Sequence, residues 1–276
     1  MLRPTRIGLL PLYLALYDGV RPDARPDMEA FAARVRKMLT GLGLDVVAVP
    51  IMTTRRGIDR ELPALLDDPD LDALATVHLA YSPSLEATEP LLRAERPLLL
   101  LDTTPAPAFG EDADQELMLR NHGIHGVQDL ACMMRRRERP HLLAVGHVDD
   151  PAFQADIMLS CRAMRAARAL SSMRVLMIGD SFEGMGDFAV DFGVLSRELG
   201  VNVARVSVSD LAQTAREVSD FDLSAEAACE GDLCDCSGVS AEALRRTNRV
   251  GLAVRRVMQE YAAGAMTFNF GSFDSD

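Results

Sequence analysis

Short apolar runs alternate along the chain with longer stretches in which apolar residues recur every three or four positions. The runs are RIGLL (6–10), LDVVAVP (44–50), LDALATVHL (71–79), PLLLL (97–101), LLAV (142–145), RVLMI (174–178), 201–206 and MTFNF (266–270). Their length and β-branched or leucine content predict buried strands of a parallel sheet. Between them, helical spacing predicts helices over 27–42, with Met28, Phe31, Val35, Met38 and Leu39 on one face, and over 59–67, 84–94, 151–170, 188–199, 211–218 and 240–263. A further helix runs from the glycine-broken entry NHGIHG to the arginine cluster Arg135–Arg137 and is stopped by Pro140, after which LLAV is expected as a buried strand. Residues 11–18, 102–109 and 179–187 are expected as loops. Strands alternating with helices predict an α/β protein built on two doubly wound parallel sheets. No internal repeat is visible.

At 276 residues the chain is near the upper size of a single core, so two domains are expected, 1–172 and 173–276. The formal net charge of −12 argues against nucleic acid and anionic membranes as partners, because phosphate binding needs a basic surface. No apolar run is long enough to span a bilayer. The first twenty residues imitate a signal peptide, basic and then apolar, but lack a small-residue cleavage site and carry Pro11, Tyr13 and Tyr17. Five unevenly spaced cysteines fit a reduced, cytoplasmic protein.

Candidate chemistry concentrates in 119–147. His122 and His125 stand three residues apart at a glycine-bent helix start, with Asp129 one turn further on. Three readings compete there: a metal site from the two imidazoles and the carboxylate, a polar wall for a polyol, or a helix entry capped by Asn121 with an inward histidine. The loop GDSFEGMGD (179–187) follows a strand and precedes a helix, as anion-binding loops do, yet it is neither G-x-G-x-x-G nor a P-loop. Cys229, Cys234 and Cys236 lie in an acidic stretch whose spacing matches no standard zinc pair, and a solvated loop is expected. No G-x-S-x-G element marks a nucleophile.

Taken in order, GLLPLY (8–13), HLAYSP (78–83), NHGIHGVQD (121–129) with HLLAVGH (141–147), and RVLMIGDSFEGMGDF (174–188) resemble motifs of the L-fucose/L-arabinose isomerase superfamily. The resemblance covers nearly the whole chain. It implies a flavodoxin-like first domain and a central α/β domain that stops short of its full size. The activity it implies is metal-dependent aldose–ketose isomerisation of a small-molecule sugar, usually with manganese. It also implies a homo-oligomer, trimer or hexamer, in which the first domain covers a neighbouring subunit's active site. By position, Leu10, Leu12, Tyr13, Tyr81, His122 and His125 would line the sugar pocket. The family's metal ligands are acidic residues and histidines at the end of the central domain and in a C-terminal domain. Near 270–273, where arabinose isomerases carry a metal-binding glutamate, this sequence reads FGSF, followed by Asp274 and Asp276. The resemblance therefore implies part of a sugar isomerase, inactive alone and with no metal site of its own. The alternative is a non-catalytic sugar-binding or regulatory module of the same fold.

Overall fold

In the computed structural model, which describes residues 3–111, 113–188 and 190–272, the chain divides into two units, Met1–Arg168 and Ala169–Asp276. The first is built on five parallel strands: β1 (Arg6–Tyr13), β2 (Asp45–Ala48), β3 (Ala73–Leu79), β4 (Leu98–Asp102) and β5 (Leu142–Val145). Their order is β2-β1-β3-β4-β5, the flavodoxin-like arrangement.

Period-two alternation sends successive side chains to opposite faces of this sheet, and both faces are covered. Ile7, Leu9, Ala73, Ala75, Val77, Leu99 and Leu101 pack on one side. They meet Met28, Phe31, Val35 and Leu39 of α2 (Arg25–Gly41) and Phe153, Ile157, Cys161 and Met164 of α7 (Pro151–Leu170). Leu10, Leu12, Leu74, Leu98 and Leu100 pack on the other. Their partners come from α3 (Arg55–Leu66), α4 (Ser84–Arg93) and α6 (Gly123–Arg136). Two short helices, α1 (Ala15–Val20) and α5 (Gln115–Arg120), bury no side chain. That is why the apolar pattern did not reveal them.

Two expectations for this unit change. The strand predicted to end at Leu10 continues to Tyr13, through Pro11. A proline is tolerated there because β2 has already ended at Ala48, where a ladder partner for its missing N–H would lie. Beyond that point only the Pro11 carbonyl is used, accepting from the Met52 N–H at 2.9 Å, and Tyr13 N–H then donates to Met52 O. Second, β5 is not buried. It is the sheet's edge, and of its four residues only Ala144 is covered.

The second unit holds three parallel strands in the order β7-β6-β8: β6 (Arg174–Ile178), β7 (Asn202–Val206) and β8 (Ala265–Phe268). Leu176, Ile178 and Val206 face α9 (Val208–Arg216), α10 (Asp220–Leu233) and α11 (Ala241–Glu260), meeting Leu211, Leu223, Ala253 and Val257. On the opposite face, α8 (Phe192–Leu199) contributes Phe192 and Leu195 to an apolar cavity of about 390 Å³ over Val175, Met177 and Val203. The acidic cysteine stretch, expected as a loop, is largely helical. Ser219 caps α10, its hydroxyl accepting from the Asp222 N–H at 3.1 Å, and Asp220 and Asp222 suit the first turn. Only Leu223 of this helix is buried, so no apolar stripe announced it.

Leu100 and Leu143 are register partners across β4 and β5, yet one is 0% and the other 50% exposed. Leu100→Ala is expected to destabilise the first unit by about 2–5 kcal/mol and Leu143→Ala by under about 1 kcal/mol, read from urea unfolding midpoints.

Candidate functional site

Strand order reverses direction at β1 and β3, and in open α/β sheets ligands bind outside the carboxyl ends of the strands at such a switch point. Here β3 delivers His78 and β1 delivers Tyr13 to that end. His78 is fully buried. Its Nδ1 lies 2.6 Å from Ser82 Oγ and its Nε2 3.2 Å from Thr76 Oγ1. Burial pushes its pKa down to about 3, with Asp129 pulling weakly the other way, so the ring is neutral at pH 7.

Between His78 and Ser82 the chain turns through Ala80, which holds a left-handed φ of 49°. The start of α6 sits directly on this turn, and two glycines make the approach geometrically allowed. A Cβ on Gly126 would stand 2.6 Å from Ser82 Oγ and 3.0 Å from His78 Nδ1. One on Gly123 would collide with the His78 carbonyl oxygen. Further along the helix, the Asp129 carboxylate accepts from the Ser84 N–H at 3.1 Å and so ties α6 to the first residue of α4. Asn121, buried before the helix, accepts from the Ala106 N–H at 2.8 Å and donates to Leu117 O at 2.7 Å, pinning the loop after β4.

Above this foundation lies a run of rings. Tyr81, half-buried, has its ring centroid 5.9 Å from that of His122, and His122 is 4.3 Å from His125. Burial, helped by the neighbouring His125, holds the His122 pKa below the usual imidazole range. Tyr17 on α1 joins the group. Its phenol pKa is raised by burial and by Tyr81, and its ring meets Tyr13 edge-on at 5.8 Å. The Arg25 guanidinium lies 5.4 Å over the Tyr13 ring. An imidazole with a lowered pKa, that of His122, beside phenol rings offers both a donor and an acceptor, together with flat apolar faces.

Of the six residues expected to line a sugar pocket, Tyr81, His122 and His125 come together at this surface. Leu10, Leu12 and Tyr13 do not share it. The two leucines are packed in the core under α3, α4 and α6, and Tyr13 is buried beneath Tyr17 with its hydroxyl unpaired. The cavity bordered by Leu12, Tyr13 and Ser82 measures about 10 Å³, room for one water at most. Their strand, expected to end early, runs on into the sheet and buries them. Tyr17 is the residue that motif reading missed. The signal available was a second tyrosine four positions after Tyr13, just beyond the carboxyl end of the strand.

No family model matches the chain. Curated proteins named L-arabinose isomerase do, among them the following three. One from Nocardioides sp. is 29% identical over 262 residues, covering 90% of this chain and 52% of its own length. One from Mycolicibacterium smegmatis is 26% identical over 80% of this chain and 45% of its own, and one from Arthrobacter sp. is 26% identical over 82% and 45%. The chain is a relative of the L-arabinose isomerases. It spans about half the length of the curated relatives it matches, and the likeness is to their N-terminal portion.

The manganese implied for an arabinose isomerase relative does not fit the described residues. Among them no three His, Cys, Asp or Glu side chains gather where they could hold an ion. His122 and His125 are neighbours, but Asp129 is engaged with the backbone of Ser84. Cys229 and Cys234 are exposed on and just after α10. Asp274 and Asp276 lie outside the described residues. The 179–187 loop presents Phe182 stacked near Phe188 at 5.8 Å, and its Asp180 sits 3.5 Å from Arg205, so the loop lines the apolar cavity of the second unit. Among the described residues no helix is long and apolar enough to cross a membrane.

Gly126→Ala is expected to cost about 1–3 kcal/mol through the collision with Ser82 and His78, measured as a loss of unfolding free energy in the first unit. A pH effect follows from His78. Its folded pKa lies far below that of the unfolded chain, so unfolding takes up a proton once pH falls below about 6.5. Stability from this group is therefore complete above that value and falls as the solution is acidified, by about 1.4 kcal/mol at pH 5.5. Urea unfolding of the wild type and of His78→Asn at pH 7.5 and 5.5 checks it, since the variant lacks this component of the slope.

Proposed function

We propose that the chain is the substrate-closing portion of an aldose–ketose isomerase of the L-arabinose type, without turnover of its own. The observation that carries this reading is the Tyr81–His122–His125 group at the carboxyl end of β3 and the start of α6. Sugars offer an apolar C–H face and a rim of hydroxyls. A phenol ring packs against the first, and imidazole nitrogens hydrogen-bond the second. The low pKa of His122 keeps that pairing available at neutral pH. The match over 90% of the chain to a protein named L-arabinose isomerase supports a pentose as the sugar.

Isomerisation moves hydrogen between C1 and C2, which calls for a base and for polarisation of two oxygens. In this reading those groups, manganese among them, lie outside residues 3–272. Tyr81, His122 and His125 close over a sugar held by a neighbouring subunit of a homo-oligomer, excluding water from it.

The test is an NMR titration of the 276-residue chain with L-arabinose, followed by an assay for the ketose with manganese present. Weak binding is expected, with shifts centred on residues 81, 122 and 125. His122→Ala is expected to weaken it about three- to tenfold, the worth of one hydrogen bond. No ketose should form. Turnover by the chain alone, or sugar-induced shifts that avoid these three residues, would overturn the proposal.

A further inference from the structure

A concavity lies at the carboxyl ends of β4 and β5. It measures about 220 Å³ and lies beside Asp102, Thr103, Asn121, Ile124 and His147. Three features set it apart from an accidental crevice. Asp102, the last residue of β4, follows Leu100 on the face that α6 covers. Its carboxyl is half-buried with no cation paired to it among the described residues, and burial raises its pKa. Thr103 is buried, and its hydroxyl makes no hydrogen bond. An unpaired buried hydroxyl costs about 1–3 kcal/mol, so folding leaves it without return unless something binds. His147 completes the set. Its Nδ1 accepts from the Asp149 N–H at 3.3 Å, with the Asp149 carboxylate 3.8 Å away, which leaves Nε2 as the ring's N–H donor. That N–H has only a long contact, 3.4 Å, to Pro105 O.

We propose that this cavity is a binding site for a small neutral polyol, separate from the Tyr81–His122–His125 surface. The chemistry of the three groups selects the class. Asp102 accepts from hydroxyls, His147 donates to one, and the Thr103 hydroxyl does either. An ammonium ion would satisfy Asp102 but face the His147 N–H, and an anion would meet the Asp102 carboxylate. Ile124 and Phe109, both exposed at the rim, offer apolar contact to C–H groups. The cavity is held in shape independently of any ligand. Asn121 pins the Ala106 backbone, and the Gly146 N–H donates to Asp102 O at 3.0 Å. The inference does not rest on the isomerase reading, because none of Tyr81, His122 and His125 lines this cavity.

The test uses ribitol, an acyclic polyol, with putrescine and acetate as charged alternatives, in NMR titrations of the whole chain. Ribitol is expected to shift residues 102–104 and 146–147. Asp102→Asn should weaken it by about tenfold or more, the worth of a charge-assisted hydrogen bond. Thr103→Val, which removes the orphaned hydroxyl while keeping the shape, should weaken ribitol binding and leave thermal stability unchanged or raised. Ribitol shifts confined to residues 81, 122 and 125, full affinity in both Asp102→Asn and Thr103→Val, or stronger binding of putrescine or acetate would each overturn the proposal. Loss of L-arabinose binding in His122→Ala with ribitol affinity intact would bear on the isomerase reading and not on this site.

Discussion

The contact between the first turn of α6 and the turn after β3 sets the geometry of everything above it. Backbone meets backbone there because positions 123 and 126 carry no Cβ. A helix kept one side chain's width further away would leave His78 open to water and Asp129 out of reach of Ser84. It would also separate His122 from Tyr81. The cost of burying an imidazole is met by its two hydroxyl partners and by the neutrality that burial itself enforces. The left-handed Ala80 is a local strain that the same contact holds in place.

One polar, rigid foundation thereby supports a polar, accessible surface. His78, Ser82, Asp129 and Asn121 are spent on internal hydrogen bonds, whereas Tyr81, His122 and His125 keep their polar atoms for something else. This division separates the residues that shape the surface from those that form its outer layer, although both kinds come from the same two short sequence stretches. The cavity beside Asp102 lies on the other side of Asn121. The loop after β4 and the start of α6 thus serve the ring surface and this cavity from one set of anchors.

The two units use the same strand chemistry under different cover. In the first, helices on both faces bury nearly every strand side chain, and only the edge strand β5 shows leucine and valine to solvent. In the second, three strands bury one face well under α9, α10 and α11, while α8 leaves a cavity over the other. Relatives named L-arabinose isomerase are about twice as long as this chain, and the match to them joins both units in one alignment.

Strand and helix positions were legible in the sequence, because a parallel sheet and its covering helices write their periods directly into the apolar pattern. The helix 151–170 and the strand 174–178 were found with the bounds they have. The glycine and histidine spacing of NHGIHG likewise announced a special helix start. Elements that bury almost nothing, α1 and α10, left no period to read. What only tertiary structure decided was which apolar residues at the strand ends are taken into the core. Leu10, Leu12 and Tyr13 sit beside the right strand end in sequence, yet β1 continues past Pro11 and takes their side chains into the two core layers. Burial depends on the neighbouring strand and the helices above it, all distant in sequence. The same is true of Asp102, Thr103 and His147, which lie on two strand ends some forty residues apart and become one site only when β4 and β5 pair.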